Sequence, residues 1–147
     1  MTRASLDIVH VETEADRVAC IDVRRTVYII GMGIDEAEEI DGRDPECAHF
    51  LARLDGAPVG TARLMIIDDT AKIQRVAVVE AARGQGIARR LMEAIIAHVR
   101  ADTTCTAVKL SANVRALPLY ERLGFVAHGA IYDDVGLPHQ DMTLALR

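Results

Sequence analysis

Aromatic side chains are almost missing from this sequence: two Phe, three Tyr and no Trp make up 3% of its 147 residues. Recognition of single-stranded nucleic acid relies on aromatic stacking platforms, so that class is disfavoured. Net positive charge is missing as well. The formal charge is −5 and the pI about 5.5, whereas a surface that tracks phosphates is normally basic; no nucleic-acid partner is expected. Cys20, Cys47 and Cys105 are odd in number, widely spaced and free of any CxxC. That pattern suggests neither a disulfide framework nor a zinc ribbon, and points to a reduced, cytoplasmic setting. No run approaches the ~18 apolar residues of a membrane span, and the charge-broken stretch MTRASLDIVHVETEADR has no signal-peptide h-region. No membrane partner is expected. Repeats, linkers and low-complexity tracts are also absent.

What is present is a 50% hydrophobic composition, enough for one sizeable core built from Ala, Val, Ile and Leu. The length fits a single domain, 1–147, within the prior of roughly 100–200 residues per domain. Residues 5–11 read as a short strand, followed by Thr13 as the cap of a helix with Ala15, Val18, Ala19, Val23 and Val27 on one side, ending near Gly31-Met32-Gly33. Residues 35–46 carry seven acids against Arg43 alone, as a helix plus loop or a loop throughout. Three strand-like runs follow, at 49–54, 58–67 and 71–79, parted by Asp55-Gly56 and Asp68-Asp69, an antiparallel meander. Residues 86–101 switch to a helical period, and AVKLSA (107–112) returns to strand, so strand-helix-strand implies a right-handed parallel crossover. A short helix through Ala116, Leu117, Tyr120 and Leu123 stops at Gly124. Two last strands flank a turn at Gly136-Leu137-Pro138. The expected fold is mixed α/β (α+β).

The informative segment is VAVVEAARGQGIARRLMEAII: strand, glycine-bearing turn, long helix. Gly84 and Gly86 can adopt φ > 0 and let a bound group approach the backbone. Successive N–H groups at a helix N-terminus lack intrahelical partners and suit phosphate oxygens. A tight turn is the competing reading. The segment is neither a Walker A loop nor GxGxxG.

Arg83-Gly84-Gln85-Gly86-Ile87-Ala88 resembles the Q/R-x-x-G-x-G/A signature of the GNAT N-acetyltransferase superfamily. Asn113, Ala116, Tyr120, Glu121 and Gly124-Phe125 match its second pattern, N-x-x-A-x-x-x-Y-E-x-x-G-F. The resemblance covers nearly the whole chain and, in the segments around IQRVAVV and GLPHQDM, is similar to the small bacterial ElaA-type subgroup. Two departures stand out: Gly31-Met32 where that subgroup usually carries Glu-Gln, and Ala112-Asn113 where it carries Ala-Gln.

The resemblance implies a single GNAT-like domain, with a central, mostly antiparallel twisted sheet, helices on both faces and a parallel crossover at the cofactor site. It implies acetyl-CoA as acyl donor, with no metal, and a small-molecule or peptide amine as acceptor. The backbone of residues 83–88 (Arg83, Gly84, Gln85, Gly86, Ile87, Ala88) would hold the pyrophosphate. The strand edge at Val76, Ala77 and Val78 would pair with the pantetheine arm after splaying from the next strand. Asn113 would reach the cofactor amides, or else cap the strand end. Tyr120 is the candidate acid for the departing thiolate, because a phenol near pKa ~10 stays protonated; packing under the final strands is its alternative.

For the base, Glu38, Glu39 and Asp41 lie in the acidic segment, with Glu39 the chosen candidate; a negative mouth there would attract a cationic amine, whereas a solvated charge run would not. His139 is a further candidate base or a turn histidine. Arg75 could fix a substrate carboxylate. Cys47 and His49 make a poor metal pair. The expected function is acetyl transfer to a primary amine by direct attack in a ternary complex. The alternatives are a non-catalytic acyl-CoA-binding or sensing domain and a protein lysine or N-terminal acetyltransferase. An apolar final strand could add to a neighbour's sheet and give a homodimer.

Overall fold

Where hydrophobic residues alternate, they form a sheet of seven strands; where they recur every three to four residues, they form helices on its two faces. The computed structural model describes residues 5–146; the first four residues of the N-terminal stretch and Arg147 lie outside them. The strands are β1 (Leu6–His10), β2 (Ala48–Leu54), β3 (Ala57–Ile67), β4 (Thr70–Val78), β5 (Ala107–Asn113), β6 (Val126–Asp134) and β7 (Leu137–Ala145). Their order across the sheet is β1-β2-β3-β4-β5-β7-β6. Every pairing is antiparallel except β4 with β5. Helix α1 (Glu14–Arg24) runs into a π-helical turn at Arg25–Gly31; α2 (Glu36–Glu39) is one turn, α3 (Ile87–Asp102) is long, and α4 (Leu117–Arg122) is short.

Local signals set these bounds. Thr13 accepts the Asp16 N–H at 3.2 Å and caps α1. Gly124, at φ +101°, ends the chain's last helical turn. On the face under α3, Ile87, Leu91, Met92, Ile95 and Val99 join Ala62 and Leu64 of β3, Ala71 and Ile73 of β4, and Val108 and Leu110 of β5. On the other face, Val23 and Val27 pack on Ala77. Gly60 fixes how close α3 comes to the sheet. A Cβ there would lie 3.1 Å from Ile87 Cγ2 and 3.2 Å from Leu91 Cδ1, so only glycine admits the helix at this depth.

Three expectations change. Helix α1 buries Cys20, Val23, Arg24 and Val27, while Val18 is 49% exposed; the inward stripe is rotated because Arg24 is drawn inside by carboxylates from another segment. The last hairpin turns at Val135-Gly136, so Leu137 and Pro138 already belong to β7. The final strand also has no free edge. It lies between β5 and β6, because β7 folds back into the slot beside β5; the free edges are β1 and β6.

Candidate active site

Strands β4 and β5 pair only from Thr70 with Ala107 to Ile73 with Leu110. Beyond that point they run on unpaired to Val78 and Asn113. Opposite β3, the register slips between Thr61 and Arg63, leaving a bulge at Arg75-Val76 with Arg75 at φ +55°. A bulge bends its strand and re-aims side chains, and here it steers β4 away from β5. The opened V is a cleft of about 1230 Å³ lined along one wall by Val76 to Val78 and Arg83 to Ala88 apart from Gln85, and on the other by Ser111, Asn113 and Tyr120.

At its helical end the cleft meets a cradle. Gly84 (φ +81°) and Gly86 (φ +76°) hold left-handed backbone, and a Cβ on either would meet nothing within 4 Å. Gly86 precedes α3 with no side-chain cap, and Arg90 N–H is the first to bond back, to Gly86 O at 3.1 Å. The first-turn N–H groups of a 16-residue helix therefore point at open space, where a phosphate fits. Ile87 contributes only main chain, its side chain being core. Gln85 turns away to donate to Ala82 O at 3.3 Å.

Along the wall, the carbonyls of Val76 and Val78 already have partners. Tyr28 Oη donates to Val76 O at 2.6 Å and Arg83 Nε to Val78 O at 3.0 Å. Ala77 faces the other way, paired with Thr61 and packed on Val23 and Val27. The pantetheine expectation thus narrows to the N–H groups of Val76 and Val78. Tyr28 was missed by the sequence reading. Its being one of three tyrosines was the only available signal, because the π-helical turn that aims it has no periodic signature. Burial, then the nearby Glu39 carboxylate, push its pKa up, so it serves as a donor.

Tyr120 packs its ring edge-on against Phe125, centroids 6.1 Å apart, and also lines the cleft. Burial pushes its pKa up to about 12, and among the described residues its hydroxyl makes no hydrogen bond. Asn113 Oδ1 accepts from Arg115 N at 3.0 Å; it is the strand-end cap, with its amide N–H groups left for the cleft. His139 Nδ1 donates to Leu137 O at 2.9 Å; the ring lines the cleft, and among the described residues Nε2 has no hydrogen-bond partner.

The acidic segment is largely ion-paired: Glu39 is buried, while Asp35, Glu36, Glu38, Asp41 and Glu46 stay exposed. Arg24 and Arg63 are each only 1% exposed, and Glu39 is 3% exposed. Arg24 Nε bonds Glu39 Oε1 at 2.5 Å and Nη1 bonds Asp44 at 2.6 Å. Arg63 Nη1 reaches Asp41 at 2.9 Å and Asp44 at 3.0 Å. Arg75 Nε lies 2.9 Å from Glu39 Oε2, in ion contact though off the hydrogen-bond line. Glu36 pairs with Arg25, and Glu46 with Arg43 at 3.6 Å. Only Asp35 and Glu38 of the run lack an ion partner among the described residues. Two arginines thus occupy both oxygens of Glu39, the expected base. Arg75 is likewise committed, to Glu39 and to the Glu38 and Glu39 carbonyls, so it has no fork free for a substrate carboxylate. That grip also holds its positive φ, a strain of ~1–3 kcal/mol that must be overdetermined by its surroundings.

The Arg63 bonds hold Asp41 well below the usual carboxylate range. For Asp44 burial pushes upward, but the hydrogen bonds of Arg24 and Arg63 outweigh it and the net shift is down. Depressed folded pKa values mean that this stabilisation is complete above the unfolded carboxylate pKa of ~4 and is lost as pH falls through the folded values. The urea midpoint should therefore drop on acidification below about pH 4. Arg63→Met, which strips Asp41 of its closest guanidinium and leaves Asp44 with Arg24 alone, should cost ~3 kcal/mol at neutral pH and flatten that acid dependence. Equal wild-type midpoints at neutral and strongly acidic pH would contradict the assignment.

His49 is buried and donates from Nε2 to Asp44 O at 2.9 Å, and burial lowers its pKa; it braces the same loop. Among the described residues no group of three His, Cys, Asp or Glu could hold a metal, and no helix is long and apolar enough to cross a membrane.

A splayed parallel strand pair leading to a glycine cradle at a helix N-terminus is an architecture shared with solved acyltransferases. The chain belongs to the Acetyltransferase (GNAT) family, which it matches over residues 15–125. It superimposes on an acyl-CoA N-acyltransferase from Pseudomonas aeruginosa with a TM-score of 0.84 and 30% identity, covering 96% of this chain and 100% of that one. Protein ElaA of Escherichia coli (strain K12) is 27% identical over 143 residues, 93% of each chain. Uncharacterized N-acetyltransferase YjcF of Bacillus subtilis (strain 168) is 29% identical over 121 residues, 82% of this chain and 86% of that one. The protein is thus an acyltransferase of the GNAT type, and the family uses acyl-CoA.

Proposed function

We propose that the protein moves the acetyl group of acetyl-CoA to a primary amine by direct attack in a ternary complex. The observation that carries this reading is the unpaired V between β4 and β5, with the Gly84–Gly86 cradle at one end and Tyr120 in its wall. When bound, acetyl-CoA supplies an activated acetyl carbonyl. The N–H groups of the 83–88 turn and of the first turn of α3 hold its pyrophosphate. Val76 and Val78 offer N–H groups along the arm, and Asn113 an amide donor.

In the transfer, the amine nitrogen bonds the carbonyl carbon, the carbon–sulfur bond breaks, and the thiolate takes its proton from the Tyr120 hydroxyl. The proton shed by the amine goes to His139 Nε2, in the cleft wall, as the base. Glu39 is a positioning residue: through Arg75 it holds the bulge that splays β4. No thiol lines the cleft, and burial pushes the Cys20 and Cys47 thiols up, which favours direct attack over a covalent intermediate.

The test is calorimetric titration with acetyl-CoA, followed by thiol release across a panel of amines and peptides. Binding with release on at least one amine is expected. Binding with no release on any acceptor would instead favour a non-catalytic acyl-CoA-binding domain.

A further inference from the structure

On the acceptor half of the cleft, the positive charge without an ion partner among the described residues belongs to two residues. Lys72 and Lys109 are the only lysines among the chain's 17 basic residues. They are register partners in the parallel β4–β5 pair, so their side chains leave the same face side by side. Their neighbours Ala71, Ile73, Val108 and Leu110 are buried beneath α3. Alternation therefore places both lysines on the opposite face, together with Gln74 and Ser111, and both line the cleft. Both are exposed. Among the described residues neither makes an ion pair. Like charges directly across a strand pair are destabilising, so this arrangement costs stability in the free protein.

Three carboxylates without an ion partner among the described residues, Glu38, Asp134 and Asp141, also border the cleft. Asp141 of β7 stands opposite Ser111, one step along from Lys109, and accepts Tyr132 Oη at 2.6 Å. Asp134 lies at the tip of the β6–β7 hairpin and Glu38 on α2. Glu39 and Arg75 are ion-paired at 2.9 Å. His128 Nε2 is bonded to Thr143 Oγ1 at 2.7 Å. The lysines sit one residue before the last paired position, and three residues at ~3.3 Å each separate Lys72 from the Arg75 bulge, about 10 Å. An ammonium reaching from either strand would meet a small molecule whose other end lies at the mouth of the V.

We propose that Lys72 and Lys109 together bind an anionic group on the acceptor, so that the amine acetylated by this protein also carries a carboxylate or a phosphate. This rests on the acetyl-transfer reading above. It reverses the choice suggested by the acidic composition: the acceptor is recognised by its negative end. Two compact ammonium groups suit either anion, since lysine acts as a point charge without the planar fork of arginine.

The experiment compares matched amines, γ-aminobutyrate with butylamine and aminoethyl phosphate with ethanolamine, by thiol release and by titration into the complex with CoA. The anionic member of at least one pair should be favoured by about tenfold or more in kcat/KM, mainly through KM, and the advantage should shrink with added salt. Which pair shows it tells carboxylate from phosphate. Lys72→Met with Lys109→Met should remove most of that preference, about tenfold, and Lys72→Arg with Lys109→Arg should retain part of it. No preference in the wild type, a preference unchanged in the Met variant, or turnover on none of these amines would overturn the proposal. Acetylation of Lys72 or Lys109 themselves by acetyl-CoA alone, seen by peptide mass spectrometry, would also overturn it. A Met variant that loses acetyl-CoA affinity to the same degree would move the lysines to the donor side and sink it equally. Absence of acetyl-CoA binding in the wild type would bring down the acetyl-transfer reading itself and this inference with it.

Discussion

Gly86→Glu should weaken acetyl-CoA binding by on the order of a hundredfold or more, read by calorimetry, because juxtaposed like charges cost several kcal/mol and each 1.4 kcal/mol is about tenfold. The Cβ of residue 86 would point into empty space, so no packed neighbour is displaced and the protein should still fold. The new carboxylate would instead stand over the free N–H groups at the start of α3, where the pyrophosphate is proposed to sit. A second contribution comes from φ +76°, which costs an ordinary residue ~1–2 kcal/mol and glycine almost nothing. Gly86→Asn separates the two, since asparagine tolerates this conformation and brings no charge. It should fall well short of the glutamate in effect. Unchanged affinity in Gly86→Glu would falsify the pyrophosphate assignment.

Tyr120→Phe should lower kcat by ~10²–10⁴-fold, the usual range for loss of a general acid or base, with little change in acetyl-CoA affinity. The fold gives this substitution unusual clarity. The ring packs edge-on against Phe125 within the core, and phenylalanine keeps that contact; the hydroxyl makes no hydrogen bond among the described residues, so no internal partner is orphaned. A purely structural Tyr120 would therefore give a variant with normal stability and normal turnover. With its pKa pushed up to about 12, the hydroxyl remains protonated through the ordinary pH range and imposes no alkaline limb on the rate there. Burial raises the pKa of a thiolate in the same slot as well, so donor and acceptor shift together. Full activity in Tyr120→Phe would remove it as the acid.

The local part of this architecture was readable from the chain. Strand-turn-strand alternation through 48–78, the long amphipathic helix after Gly86 and the stop at Gly124 depend on neighbours two to four residues apart. Each signal sits inside the element that it defines. The Gly84–Gly86 cradle is of the same kind, since its φ angles and free N–H groups follow from glycine before an uncapped helix.

The surroundings of Glu39 were not readable in this way. Glu39 lies in an acidic run whose arginine partners are far along the chain. Arg24 precedes it by 15 residues and Arg75 follows it by 36. Hydrophobic periodicity scores arginine as a surface residue, and nothing local announces that a guanidinium will be buried by carboxylates from another segment. The same blindness rotated the inward face of α1 and hid Tyr28.

By itself, then, the sequence determined the elements, the glycine-bearing turn and the family, because these are encoded in short-range pattern and motif. Only the tertiary structure decided that most of the acids are ion-paired, that β7 enters beside β5, and that Lys72 and Lys109 stand together on the floor of the cleft. Those outcomes depend on strand register and on charge pairing between distant segments. Their energies exist only once the sheet has brought the partners within reach.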